Sequence, residues 1–165
     1  MFDKVLIANR GEVAVRIIQT CRRLGVRTVA VYSDADAKAP NVELADEAYR
    51  LGEAPLQKSY LNVPALLDAI TASGADAVHP GYGLLSENAA FAAAVRARGV
   101  TFIGPDARAL ETFGDKLSAR TLARSLGVEP PPGTDSAVDA ADGAALEQAA
   151  QIGRASCRER VLTDV

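Results

Sequence analysis

Apolar runs and amphipathic stretches alternate along the first hundred residues. Lys4-Val5-Leu6-Ile7-Ala8-Asn9 is a short, nearly continuous apolar run, the pattern of a strand buried on both faces. After Gly11, Val13, Ala14, Ile17, Ile18, Cys21 and Leu24 recur at spacings that make one helical face. Arg16, Gln19, Arg22 and Arg23 fall largely opposite, and Gly25 is a natural stop. Arg27 to Tyr32 predicts a second strand and completes a βαβ unit. The cycle then repeats. Ala48 to Leu51 predicts a third strand, and a helix capped by Asn62 with Pro64 in its first turn runs to Gly74. Ala75 to Val78 predicts a fourth strand, and Glu87 to Arg98 a helix capped by Ser86 or Glu87 and closed by Gly99. Val100 to Ile103 predicts a fifth strand. This alternation predicts an α/β fold: a doubly wound, Rossmann-like parallel sheet of order 3-2-1-4-5 with helices on both faces.

Beyond Gly104-Pro105 the strand signals stop. Helices are predicted over Asp106 to Phe113, Lys116 to Leu126 and Ala137 to Gln151, with a stiff turn at Glu129-Pro130-Pro131-Pro132-Gly133. We place a domain boundary at Gly114, giving one domain over 1–113 and the start of a second over 114–153. Residues 154–165 carry charge without alternation, and Ile152 to Val161 also match a reading frame of a common sequencing-adapter DNA. They are read as a non-native tail without regular structure, with a native basic tail as the alternative; on the first reading Cys157 carries no functional meaning.

Composition narrows the class. The 165 residues are 48% hydrophobic and 24% charged with a net charge of −3, which argues against a broad electrostatic footprint for nucleic acid. No apolar run approaches the roughly 18 residues of a membrane span, and Met1 to Lys4 leads straight into a strand, leaving no room for a signal peptide. The two cysteines, Cys21 and Cys157, form no C-x-x-C pair, which excludes a disulfide scaffold and a structural zinc site and fits a cytoplasmic location.

Three stretches carry candidate chemistry. Asn9-Arg10-Gly11-Glu12-Val13-Ala14 lies where a dinucleotide fingerprint would. It has one glycine of the three, and Glu12 would repel a pyrophosphate. Asp34 and Asp36 after the second strand stand where a ribose-binding acid would, a cheap match. In His79-Pro80-Gly81-Tyr82-Gly83-Leu84-Leu85-Ser86-Glu87-Asn88, two glycines flank a tyrosine at the carboxyl end of a strand. The residues alone leave two readings open: a loop presenting Tyr82 to a ligand, or a rigid turn with Tyr82 packed and His79 hydrogen bonded. In Gly114-Asp115-Lys116, a lysine at a positive helix end does not serve the helix. It either reaches a phosphate or lies in solvent.

Taken together with Ile7 to Ile17, Lys58-Ser59-Tyr60-Leu61-Asn62 and Phe102-Ile103-Gly104-Pro105, these stretches resemble, in order and spacing, the N-terminal part of biotin carboxylase over about residues 1–153. That enzyme is the ATP-grasp component of acetyl-CoA, propionyl-CoA and pyruvate carboxylases. The resemblance implies a pre-ATP-grasp domain followed by the first helices of an ATP-grasp domain. It implies an ATP-dependent ligase: ATP phosphorylates bicarbonate, and carboxyphosphate delivers carbon dioxide to biotin on a carrier protein or domain. Lys116 then matches an ATP-phosphate contact, Tyr82 and Gly83 the loop beside the biotin pocket with His79, Gly81 and Glu87 as its support, and Arg16 a homodimer contact. The implied cofactors are ATP and Mg2+, with bicarbonate and biotin as substrates. A biotin carboxyl carrier and a carboxyltransferase are the implied partners, with no nucleic acid and no membrane. Leu84 stands where the family usually has phenylalanine, Asn41 where it often has histidine, and Gln19 and Arg23 do not reproduce the charge pairing of the dimer helix. The family's lid, magnesium glutamates and catalytic arginine and glutamate have no counterpart in these residues, so no catalytic residue or metal ligand is assigned and the chain alone is expected to be inactive. The other readings are a different ATP-grasp ligase, such as urea carboxylase or carbamoyl-phosphate synthetase, and a non-catalytic Rossmann-like binding or dimerisation module. The complete His79 to Asn88 loop favours biotin chemistry.

Overall fold

The computed structural model describes residues 1–134, 138–139 and 141–162, with side chains through Ile152. It contains two compact units, Met1–Glu111 and Thr112–Val165.

In the first unit, β1 (Lys4–Ile7), β2 (Arg27–Ser33), β3 (Glu47–Gly52), β4 (Ala77–His79) and β5 (Thr101–Phe102) form one sheet of order β3-β2-β1-β4-β5. Every neighbouring pair is parallel, as the pattern of βα repeats predicts. Period-2 alternation in β1 explains why both faces are covered. Val5 and Ile7 point to one side, where they pack with Ala77 and with Ala14, Ile18 and Cys21 of α1 (Gly11–Arg23). Leu6 and Ala8 point to the other, where the larger core holds Leu66 and Ile70 of α3 (Val63–Ser73) and Phe91 and Val95 of α4 (Ala89–Arg96). Phe91 meets Phe102 edge to face at 6.0 Å.

Caps set the helix starts. The Asn62 carboxamide oxygen accepts from the Ala65 N–H at 3.2 Å, as expected. Asn88, not Ser86 or Glu87, caps α4 by accepting from the Phe91 N–H at 2.8 Å, so that helix begins later than the periodicity suggests. Two 3-10 turns, Asp34–Asp36 and Leu56–Lys58, and the short α2 (Pro40–Leu44) carry no helical period and are not foreseen. The α5 helix spans Ala107–Gly114 and gives Leu110 to the larger core.

The second unit contains α6 (Lys116–Ser125), whose cap Asp115 accepts from the Ser118 N–H at 2.7 Å, and α7 (Gly143–Leu162). Asp142 accepts from the N–H groups of Ala144 and Ala145, which starts α7 later than Ala137. The same helix runs on past Gln151, so the expectation of irregular chain from residue 154 is corrected through Leu162. Alanine, arginine, glutamate and leucine are strong helix formers, and intrinsic propensity carries the helix where tertiary patterning is absent. Residues 135–137, 140 and 163–165 lie outside the described residues. Among the described residues no helix is long and apolar enough to cross a membrane.

Candidate functional site

The strand order reverses between β1 and β4, where an open α/β sheet has a crevice at its carboxyl ends. Asn9, Arg10 and Gly11 leave β1 there, and His79, Pro80, Gly81 and Tyr82 leave β4. The chain fills this crevice with its own atoms. The buried Asn9 side chain donates from Nδ2 to the carbonyl oxygens of Pro80, at 2.7 Å, and Tyr82, at 2.9 Å, while its Oδ1 accepts from the Arg10 N–H at 2.9 Å. Gly81 adopts φ +66° and lies so close that an added Cβ would come within 2.6 Å of Asn9 Nδ2 and 2.7 Å of Val13 Cγ1. His79 Nδ1 accepts from the Gly81 N–H at 3.0 Å, and the His79 carbonyl accepts from the Ala8 N–H at 2.9 Å.

The features that pointed to a dinucleotide are spent on internal bonds. The Gly11 N–H donates to Asn41 Oδ1 at 3.2 Å, and Asp34 accepts from Arg50 Nε and Nη2 at 2.7 and 2.8 Å. Asp36 accepts from the Tyr60 hydroxyl at 2.7 Å and the Ser33 hydroxyl at 2.9 Å. Burial opposes the charge on Asp36, but the Tyr60 and Ser33 hydroxyls and the nearby Arg10 outweigh it and hold the carboxyl below its ordinary value. Burial and the Asp36 carboxylate together push the Tyr60 phenol up to about 12. The Arg10 guanidinium lies over the Tyr60 ring, 5.4 Å from its centre, so this hub ties the 9–11 turn to the Lys58 to Asn62 stretch. Asn41 is wholly buried, and its Nδ2 has no hydrogen-bond partner.

Tyr82, whose backbone is anchored in this way, is 69% exposed, which removes the packed-tyrosine reading. The other half of that reading, a hydrogen-bonded His79, holds. Gly83 at φ +65° and Leu84 at φ +46° continue the loop through the left-handed region, and Leu84 is the one non-glycine there among the described residues. The Ser86 N–H closes a turn on the Gly83 carbonyl at 2.9 Å, and Glu87 is exposed just before the α4 cap. His79, Gly81 and Tyr82 also line one end of a groove of about 650 Å3, whose wall along α1 includes Arg16, Ile17, Cys21 and Leu24. Arg16 is exposed and pairs loosely with Glu12 at 3.6 Å. The structure thus brings Arg16 together with His79, Gly81 and Tyr82, whereas Gly83 and Glu87 are not part of the groove lining. Lys116 belongs to the second unit, where it is the exposed first residue of α6. Sequence reasoning missed the work of Asn9, Asn41 and Tyr60. The available signal was a polar residue or a tyrosine at the end of an apolar stretch.

Burial pushes the His79 imidazole below its ordinary 6.5. Its Nδ1 already accepts a backbone N–H, so a proton on that atom is incompatible with the loop. A folded-state value below the unfolded one means stability is full above about pH 6.5 and lost as pH falls through the folded value. We expect the denaturation midpoint to drop between about pH 7 and 5, and His79→Gln to abolish that drop. Asp36, Asp46 and Asp76 are also held low, but they contribute a fall only below about pH 4. A midpoint flat from pH 7 to 5 in the parent protein would refute the assignment.

Residues 1–110 match the family described as biotin carboxylase, N-terminal domain. The chain belongs to the biotin carboxylase family. It is 53% identical over 152 residues to the propionyl-CoA carboxylase alpha chain of Rattus norvegicus, a match covering 92% of this chain and 20% of that one. It is 46% identical over 153 residues to the biotin carboxylase of Pseudomonas aeruginosa, covering 93% of this chain and 34% of that one. The biotin carboxylase domain of Hydrogenobacter thermophilus 2-oxoglutarate carboxylase, solved as a dimer in complex with MgADP, ADP and bicarbonate, superposes with a TM-score of 0.83. It is 42% identical, and the match covers 92% of this chain and 33% of that one. The chain therefore spans about a fifth to a third of the biotin carboxylase relatives it matches.

Proposed function

We propose that this chain is the N-terminal portion of a biotin-dependent carboxylase that uses ATP and bicarbonate to carboxylate biotin on a carrier protein or domain, from which a carboxyltransferase takes the group. The observation that carries this reading is the Tyr82 loop. Its backbone is fastened at Pro80, Gly81 and Tyr82 by the side chains of Asn9, just after β1, and His79, in β4, while Tyr82 itself is largely exposed. An exposed tyrosine on a fixed backbone offers an apolar ring face and a polar hydroxyl, which suits biotin, whose bent bicycle joins a polar ureido ring to an apolar thioether ring. Tyr82 and Gly83 border biotin in this reading, His79, Gly81 and Glu87 support the loop, Lys116 contacts the ATP phosphates, and Arg16 contributes to a homodimer contact.

Among the described residues no group of three or more His, Cys, Asp or Glu side chains is arranged to hold a metal ion. The Mg2+ that accompanies ATP is held largely by the phosphates and water, and the described residues supply no carboxylate cluster for it. Lys116 acts in this reading as a cation beside the phosphates. A single such contact contributes about 1.5–3 kcal/mol, against the roughly 8 kcal/mol that micromolar affinity requires. The 165-residue chain alone is expected to bind Mg-ATP at millimolar concentration or weaker and to release no phosphate.

The test joins residues 1–152 to the unmatched two-thirds of the Pseudomonas aeruginosa enzyme and follows phosphate release with bicarbonate and biotin. The chimera is expected to turn over. Within it, Lys116→Ala should raise KM for ATP by about tenfold, and Tyr82→Ala should act on biotin. A folded but inactive chimera, or micromolar Mg-ATP binding by the 165-residue chain alone, would overturn the reading.

A further inference from the structure

We propose that Asn9 is the positioning residue of the Tyr82 loop: its carboxamide, held between two loop carbonyls and its own turn, sets where the Tyr82 ring points toward a bicyclic ureido ligand. The loop-orienting role stands on geometry, and its bearing on biotin rests on the function proposed above.

No regular backbone ladder reaches residues 80–82. Three of their backbone groups are bound by side chains instead, two of them by Asn9 Nδ2 and one by His79 Nδ1. The two Asn9 bonds straddle Gly81, because the acceptors are the carbonyls on either side of it. An amide nitrogen carries two hydrogens, and both are used, so the donor side of Asn9 is saturated. Its acceptor side takes the Arg10 N–H at 2.9 Å, which fixes the amide plane and prevents it from flipping. The turn that carries Asn9 is itself held from behind by Arg10 over Tyr60 and by Gly11 on Asn41. Below the loop, Gly81 rests against Asn9 Nδ2 and Val13 with no room for a methyl group. Loop height and direction therefore both depend on the residue at position 9, with Val13 and His79 sharing the contact at Gly81. The ring itself is not fastened in this way, since it is mostly exposed. The arrangement fixes the platform and leaves its face to a ligand.

Aspartate at this position is nearly isosteric but inverts the pattern. It places an acceptor, charged at neutral pH, 2.7 and 2.9 Å from two carbonyl oxygens, and the loop must lift away. Alanine removes the clamp without adding charge.

The first arm uses the 165-residue chain. In Asn9→Asp, deuterium uptake by the segment 80–86 is expected to quicken by about tenfold or more, with a smaller rise in Asn9→Ala. Uptake in β2 and α3 is expected to stay within about twofold of the parent and serves as the internal reference for folding. The second arm uses the chimera described above. Asn9→Asp should raise KM for free biotin by about tenfold while KM for ATP moves by less than about threefold, a split that a general loss of folding would not give. An inactive parent chimera would count against the proposed function and leave the exchange arm to decide the role of Asn9. Unchanged uptake at 80–86, or equal rises in both KM values, would overturn the proposal. Failure of both variants to fold would overturn it too, because Asn9 would then serve the sheet rather than the loop.

Discussion

Truncating Phe91 to alanine is expected to destabilise the first unit by about 3–5 kcal/mol, the range for removing a buried phenylalanine from a close-packed core. Phe91 is 0% exposed and stacks edge to face on Phe102, which closes the core at the β5 edge. Its loss removes the edge-to-face contact by which α4 meets that strand, leaving the Arg96 guanidinium over the Phe102 ring, and opens a cavity in the core that also holds Leu66 and Ile70. Domains of this size are stable by about 5–15 kcal/mol, so the variant should unfold at much lower denaturant and give a broadened amide spectrum at ambient temperature. Phe91→Leu, which keeps most of the volume, should recover more than half of the loss. A midpoint shift below about 1 kcal/mol in Phe91→Ala would show that the α4 side of the sheet is not a packed core.

Gly52→Ala is the second large effect. At φ +153° this glycine occupies a conformation that side-chain-bearing residues rarely adopt, and an added Cβ would overlap the Lys58 carbonyl oxygen. That carbonyl is not free to retreat. The Lys58 N–H is bound to the Pro55 carbonyl at 2.9 Å, and the Ser59 hydroxyl donates to the same oxygen at 2.9 Å. We expect a cost of about 1–3 kcal/mol from strain and overpacking. We also expect a distinctive spectroscopic sign, because the displaced turn carries Tyr60. Burial and Asp36 keep the Tyr60 phenol up at about 12 in the parent. A raised folded-state value means this contribution to stability is complete below about pH 10 and lost as pH rises toward 12. In Gly52→Ala the phenol should titrate nearer its ordinary 10, read by ultraviolet difference absorbance. An unchanged Tyr60 titration together with unchanged stability would mean that the 55–59 turn yields freely.

Much of the fold was legible because it depends on periodicity. The order β3-β2-β1-β4-β5 follows from apolar runs at Val5 to Ala8, Thr28 to Val31 and Ala77 to Val78 separated by helical faces, with handedness supplying the rest. Helix ends were less legible. Ser86 and Glu87 are the caps the pattern suggests for α4, whereas Asn88 caps it, because only the backbone decides which side chain meets a free N–H. The far end of α7 is not legible, since local propensity carries a helix without the apolar stripe that marks one in sequence. At the candidate site, the place of the His79 to Asn88 loop and the exposure of Tyr82 fit the ligand-loop reading of its glycines. The parts that hold the loop were not legible. Asn9, Tyr60, Asp36 and Asn41 act through contacts between positions 24 to 73 residues apart, and no local pattern marks such pairings.

The self-filled crevice between β1 and β4 also bears on how this scaffold can change over generations. A Rossmann sheet that leaves this place open can take a nucleotide there. Here a smaller residue at position 9 would free space yet leave Pro80 and Tyr82 with unmet carbonyls, and any side chain at position 81 would strike Val13. Each single step toward an open pocket therefore leaves an unmet polar group or a clash. The crevice is thus held closed by the mutual dependence of a few residues, and opening it requires several substitutions at once.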